Sequence, residues 1–156
     1  MKIVINKCFG GFGLSPQGYK RFLELEGKKA YFFKDELVDG SAKHVPMDTE
    51  PTRKEYSFSV FTIPNPDEYL KRDKTWWEMS DEEKDAWNQK YEKIHVSGRD
   101  IERSDPKLVQ VVEELGIEAS GRFSELKIIE IPDSIDYEIN EYDGMESVHE
   151  VHRSWD

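Results

Sequence analysis

Gly10, Gly11 and Gly13 follow a short apolar run, Ile3-Val4-Ile5, and precede Ser15-Pro16. A glycine-rich bend between a strand and a helix start aims main-chain N–H groups into one small volume, which suits an anion or a nucleotide phosphate. The stretch from Asn6 to Ser15 is therefore the first candidate site. Glycine at 10, 11 and 13 allows positive φ or close approach of a ligand. Ser15 and the helix start add donors, and Lys7 supplies a positive charge. The stretch is not a P-loop, because no Gly-Lys-Ser/Thr follows. It is not a full dinucleotide fingerprint either, because Pro16 stands where that motif wants its third glycine. A plain tight turn uses the same residues.

The second candidate is the tail, where Glu146, His149, Glu150, His152 and Arg153 crowd together. The expected element is a short helix over Met145 to His152, which lays Glu146, His149, Glu150 and Arg153 on one face. His149 and Glu150 then form an acid–base pair, or Glu146, His149 and His152 contact a polar ligand. A metal is not expected, because Arg153 opposes a bound dication. The bland alternative is a salt-bridged surface helix. The third candidate is the basic set Arg99, Arg103, Lys107 and Arg122. Arg122 lies in a turn before a strand, and one or two of these residues could clamp a phosphate, an arginine doing so bidentately. Scattered solvent-facing charge is the other reading. Trp76, Trp77 and Trp87 either stack on a base or sugar or close a helical segment onto the core. Cys8, beside Lys7 and a helix start, is a weak nucleophile candidate that needs a base such as His149. It otherwise serves as a small buried filler. His44 and His95 stand alone, and His95 reads as structural.

These groups must be positioned by recognisable elements. Residues 2–6 read as a strand and 16–26 as a helix, with Ser15 as N-cap and Gly27 as stop. Lys29 to Phe33 reads as a central strand. Residues 34–54 read as a long polar loop with an edge segment. Tyr56 to Thr62 reads as a strand. Residues 64–98 read as a helical, Trp-rich insertion, with Ser80-Asp81-Glu82-Glu83 as a capping box ahead of Trp87, Tyr91 and Ile94. Asp105-Pro106 opens a helix that Gly116 ends, 126–131 is a strand, and Ile135 to Ile139 alternates as a half-buried strand. The expectation is one domain over 1–156 of class α+β, with α/β as the alternative. It has a mixed sheet of four to five strands and two or three packed helices.

Composition narrows the function classes. The chain has 156 residues, 37% hydrophobic and 35% charged, with a formal charge of −11. Long-range repulsion of phosphate backbones disfavours a nucleic-acid partner. Four tryptophans, seven tyrosines and eight phenylalanines supply a core that a disordered chain lacks. A single cysteine fits a reducing compartment. No signal peptide and no membrane span are expected, which makes the chain cytoplasmic.

The opening, Met1 through Lys7-Cys8-Phe9-Gly10-Gly11-Phe12-Gly13-Leu14-Ser15, resembles the start of a small-protein family of tailed bacteriophages and bacteria. Asp105-Pro106 through Ile131-Pro132-Asp133, Tyr142-Asp143-Gly144-Met145-Glu146 and His152-Arg153-Ser154-Trp155 resembles the end of the same family. The likeness covers about half the chain, and no functional residue carries over with it. A phage origin implies a host-facing accessory role in the host cytoplasm. The expected function is binding of a small anionic molecule or nucleotide, without a further cofactor. Asn6, Lys7, Gly10, Gly11, Gly13, Ser15, Arg122, Glu146, His149, His152 and Arg153 are the expected contacts. The alternatives are an acidic module that inhibits a host protein, or a small hydrolase using Cys8 or His149.

Overall fold

A computed structural model of the protein describes residues 1–55 and 57–151. Tyr56, and the tail residues His152, Arg153 and Trp155 named above, lie outside the described residues. The fold is α+β, with eight strands among the described residues in three antiparallel sheets rather than one mixed sheet. Strand β1 (Lys2–Asn6) pairs with β6 (Leu126–Glu130), so the two ends of the chain share a ladder. A four-stranded sheet has the order β3-β2-β4-β5, built from β2 (Tyr31–Val38), β3 (Ser41–Pro46), β4 (Ser59–Phe61) and β5 (His95–Val96). A hairpin of β7 (Tyr137–Tyr142) and β8 (Met145–Glu150) completes the set.

The helices start and stop where their local chemistry directs. Helix α1 (Pro16–Leu25) is capped by Ser15, whose hydroxyl accepts from Gly18 N, and Pro16 takes the first helical position. Helix α4 (Pro106–Leu115) has the same plan, with Asp105 as cap and Gly116 at φ 59° as stop. Its Leu108, Val109, Val111 and Val112 meet Phe22 and Leu23 of α1, with Val4 and Leu126 from the terminal ladder and Val60 from the four-stranded sheet. That is the main core. Burying each such side chain contributes roughly 1.5–3 kcal/mol.

A second core lies on the other face of β2 and β4, where Phe33 and Phe61 meet Leu70 and Ile94. Helices α2 (Pro66–Tyr69) and α3 (Asp81–Ile94) cover it. Ser80 caps α3 by accepting from Glu83 N. Trp87 stacks on Tyr91 and donates its ring N–H to Leu70 O at 2.8 Å. The excursion leaves the sheet after β4 and returns straight into β5, with Thr62 N donating to Ile94 O at 2.8 Å. Trp87 and, through it, Trp76 thus close this segment on itself.

Two elements differ from the sequence reading. Residues 34–46 are not a loop, because Asp39 and Gly40 both sit at positive φ and turn β2 into β3. Residues 145–150 are not helical: Asp143-Gly144 makes the same kind of turn and β8 folds back on β7.

On the outside of the helix pair, Arg21 Nε donates to Glu114 Oε2 at 2.8 Å and Nη2 to Oε1 at 3.2 Å. Arg21, helped by Gln110, holds the Glu114 carboxyl down from the ordinary 4.5 to about 2. A depressed carboxylate stabilises the fold above its unfolded value and loses that contribution as pH falls through the folded value. Arg21→Ala is expected to return the Glu114 midpoint toward 4.5 in an NMR titration. An unchanged midpoint rules out Arg21 as the cause.

Candidate functional site

The glycine bend is held from behind by a buried polar joint. Asn6 ends β1 fully buried, and its side chain satisfies four main-chain groups. Its Oδ1 accepts from Cys8 N at 3.1 Å and Glu125 N at 2.9 Å. Its Nδ2 donates to Cys8 O at 2.6 Å and Gly144 O at 2.7 Å. Asn6 N donates to Glu146 Oε2 at 2.9 Å. Glu146 in turn takes a two-pronged contact from Arg103, Nη1 to Oε2 at 2.6 Å and Nη2 to Oε1 at 2.9 Å. The Arg103 guanidinium also lies 3.5 Å from the centre of the Phe12 ring. Lys7 turns the same way, donating to Glu146 O at 3.4 Å. Gly144 packs directly on Phe9 and Gly11, at φ 87°, where any Cβ would collide with main chain. Asn6, Lys7 and Glu146 therefore sit together, as parts of the joint behind the bend.

The bend borders a cavity of about 300 Å³ that it shares with β4, β5 and the turn at 121–124. Gly10 to Gly13 form one wall, Arg122 and Phe123 a second, and Tyr19, Val60 and Val96 the floor. Among the described residues, the amides of Gly10, Gly11, Phe12 and Gly13 donate to no protein acceptor. Unpaired main-chain donors are costly unless water or a ligand reaches them. Gly13 is fixed from the other side, its carbonyl accepting from Gly121 N at 2.9 Å and Ser124 Oγ at 2.7 Å. Gly10 abuts Phe123 with no room for a Cβ. Tyr19 Oη accepts from Gly98 N at 2.9 Å, and burial raises its pKa.

The structure brings Gly10, Gly11, Gly13 and Arg122 onto one cavity. Ser15 does not join them. It is fully buried, caps its own helix and donates to Glu118 O, so the start of α1 is closed off by residues 116–120. Cys8 and His149 are likewise absent from the cavity lining. His149 lies exposed on β8 and contacts Ser147 Oγ at 2.8 Å. The helical face that would have aligned Glu146, His149 and Glu150 does not exist, because on a strand Glu146 and His149 point to opposite faces. His152 and Arg153 lie outside the described residues. Among the described residues, no group of three His, Cys, Asp or Glu is placed to hold a metal ion.

Sequence reasoning missed one polar cluster. His44 Nδ1 lies 2.7 Å from Asp67 Oδ1, and His44 N donates to Asp67 Oδ2 at 2.8 Å. His44 Nε2 is 3.4 Å from Asp35, whose carboxylate accepts from Ser59 Oγ at 3.1 Å. The group ties α2 to the β2–β3 hairpin. His95 stacks on Tyr91 and meets Phe61 edge-on in the second core, where burial first and the nearby His44 second lower its pKa. The Asp39-Gly40 turn was the available signal, since the hairpin it starts pairs Asp35 with His44.

Comparison of the chain with models of protein families, with curated proteins and with solved structures finds no match in any of the three.

Removing one partner of a buried ion pair strands the other charge, at a cost of roughly 3–5 kcal/mol. Glu146→Ala is therefore expected to lower unfolding free energy by about that amount in urea denaturation. A loss within the range of an exposed pair, below about 1 kcal/mol, would remove Glu146–Arg103 as the tie.

Proposed function

We propose that this protein binds a small anionic ligand of the nucleotide class in the cavity between the glycine bend and Arg122. One observation carries the reading: residues 10–13, whose amides donate to no protein acceptor among the described residues, line the same space as Arg122. Main-chain N–H groups and an arginine fork are the standard partners of phosphate and carboxylate oxygens. The apolar floor of Val60, Val96 and Phe58 accepts a ring. A chain with net charge −11 gains selectivity for an anion only where donors are gathered locally. The likeness of its two ends to small phage proteins supports an accessory role in a host cytoplasm. No helix among the described residues is long and apolar enough to cross a membrane.

A second reading rests on Trp77, which is 89% exposed between α2 and α3. An exposed tryptophan on a chain of net charge −11 suits docking to a basic host protein. The hydrolase reading draws no support from the cavity lining, which includes neither Cys8 nor His149.

Calorimetry against a panel of mononucleotides tests the first reading. Arg122→Ala is expected to weaken binding at least tenfold, while Cys8→Ala and His149→Ala leave it unchanged. Gly13→Ala, whose Cβ meets only Ser124 Oγ at 4.0 Å, keeps the fold and narrows the cavity wall. No heat with any nucleotide, or equal binding by Arg122→Ala, refutes it.

A further inference from the structure

Among the described residues, strand β7 pairs with β8 alone, which makes it an outer edge. The ladder decides which of its main-chain groups face outward. Antiparallel partners alternate between pairs that exchange hydrogen bonds and pairs that do not. Val151 N donates to Asp136 O at 2.9 Å, one step beyond the Tyr137–Glu150 pair. Asp136, Glu138, Asn140 and Tyr142 therefore turn their main chain toward β8, while Tyr137, Ile139 and Glu141 turn theirs away. Tyr142–Met145, the pair that closes the Asp143-Gly144 turn, fits the same alternation. Among the described residues, the outward N–H groups of Tyr137, Ile139 and Glu141 donate to no acceptor, and their carbonyls accept from no donor.

Other edges of this fold are closed from within. On β1, Val4 N donates to Arg103 O at 2.9 Å and Asn6 N to Glu146 Oε2 at 2.9 Å. On β3, His44 N donates to Asp67 Oδ2 at 2.8 Å, and Pro46 has no N–H to offer. Strand β7 carries no lysine, no proline and no bulge from Tyr137 to Tyr142. A six-residue edge left in this state is a template for one more strand.

The side chains say which strand fits. Tyr137 and Ile139 share one face and are half-buried, while Glu138, Asn140 and Tyr142 share the other and are exposed. Asp136, Glu138, Asp143 and Glu150 form no ion pair among the described residues. Asp133, Glu146 and Glu141 do not count with them, because the first two are paired and the third accepts from Gly144 N. No lysine or arginine occurs from residue 128 to residue 151. Lys7 and Arg103 meet the hairpin at Glu146, on β8 rather than on the outer edge. A second copy of β7 is a poor occupant, since antiparallel pairing centred on Ile139 and Asn140 sets Glu138 against Glu141. A strand with alternate basic residues meets no such repulsion. Its apolar residues lie beside Tyr137 and Ile139, and its basic ones lie beside Glu138, with their stems along the Tyr142 ring.

We propose that the outer edge of β7 docks an extended segment of a partner protein in which basic and apolar residues alternate, added to the hairpin as a third strand. Main-chain bonds at Tyr137, Ile139 and Glu141 hold it, and the carboxylates select it. Neither this edge nor the glycine-bend cavity needs the other.

Fluorescence anisotropy of the full chain with the labelled peptide acetyl-Lys-Val-Lys-Val-Lys-Val-Lys-amide tests it. Binding is expected, with amide exchange slowed at Tyr137, Ile139 and Glu141 in NMR spectra and little changed at Glu138, Asn140 and Tyr142. N-methylation of the valines, which lie opposite the outward residues, should weaken binding at least tenfold. N-methylation of the lysines, whose N–H groups point away from β7, should change it less than about twofold. Glu138 is exposed and its carboxylate makes no bond among the described residues, so Glu138→Lys keeps the fold and should weaken binding at least tenfold. No binding, equal loss for the two methylated peptides, or unchanged affinity in Glu138→Lys overturns the proposal. A dimer in sedimentation velocity, with the same three amides slowed before peptide is added, gives the edge to a second copy and overturns it as well.

Discussion

Glu146 and Arg103 meet in a nearly dry site, and the geometry of the glycine bend depends on their contact. The carboxylate is 5% exposed and spends its oxygens on a guanidinium and on Asn6 N. Taking both charges out of water is expensive, and their attraction roughly repays it only because the geometry is two-pronged. The net gain in stability is therefore modest, and what the pair supplies is position. It fixes β8 against the end of β1, and with it Gly144 against Phe9 and Gly11. The bend cannot relax toward the hairpin without breaking a charge contact in a place where water does not substitute.

That arrangement divides the bend into two functions. Its rear is filled by Asn6, whose amide serves four main-chain groups at once. Its front borders the cavity, and among the described residues its amides donate to no protein acceptor. The glycines answer to both demands. Gly10 has no side chain because Phe123 lies against it, and Gly11 sits at φ 85° where other residues are strained. Close packing and ligand access are thus compatible explanations of one glycine-rich run. The fold gives a physical reason for each at a different position.

Much of this was legible in the residues themselves. Ser15-Pro16, Ser80 with Glu83, and Asp105-Pro106 with Gly116 locate three helices, because caps are local chemistry. The apolar runs at 2–6 and 126–131 locate the paired terminal strands. The two Asp-Gly turns are less legible. At Asp39-Gly40 the flanking strands are mostly exposed and carry Lys34, Asp35, Glu36 and Lys43, so no apolar alternation announces them. At Asp143-Gly144 the dense Glu and His residues imitated a helical face, while the hairpin pairing with 137–142 is announced only by the Asp-Gly turn. Of the site, Gly10, Gly11, Gly13 and Arg122 were readable from type and setting. Their meeting was not, since it depends on the 120–124 turn crossing Gly13 over more than a hundred residues. Ser15 illustrates the reverse failure. Its role as a cap was readable, but the 116–120 segment that seals it comes from the far end of the chain.

The joining of β1 to β6 and of Asn6 to Glu146, 140 residues apart, has a kinetic consequence. Strand β1 must wait for β6, more than a hundred residues later in the chain, before it can pair. Loops that long cost closure entropy before any contact rewards it, and topologies rich in such contacts fold slowly. Until α4 and β6 are made, Ile3, Val4 and Ile5 remain a short uncovered β-prone segment. Synthesis of this chain therefore passes through a window in which its opening residues are the part most in need of protection from association.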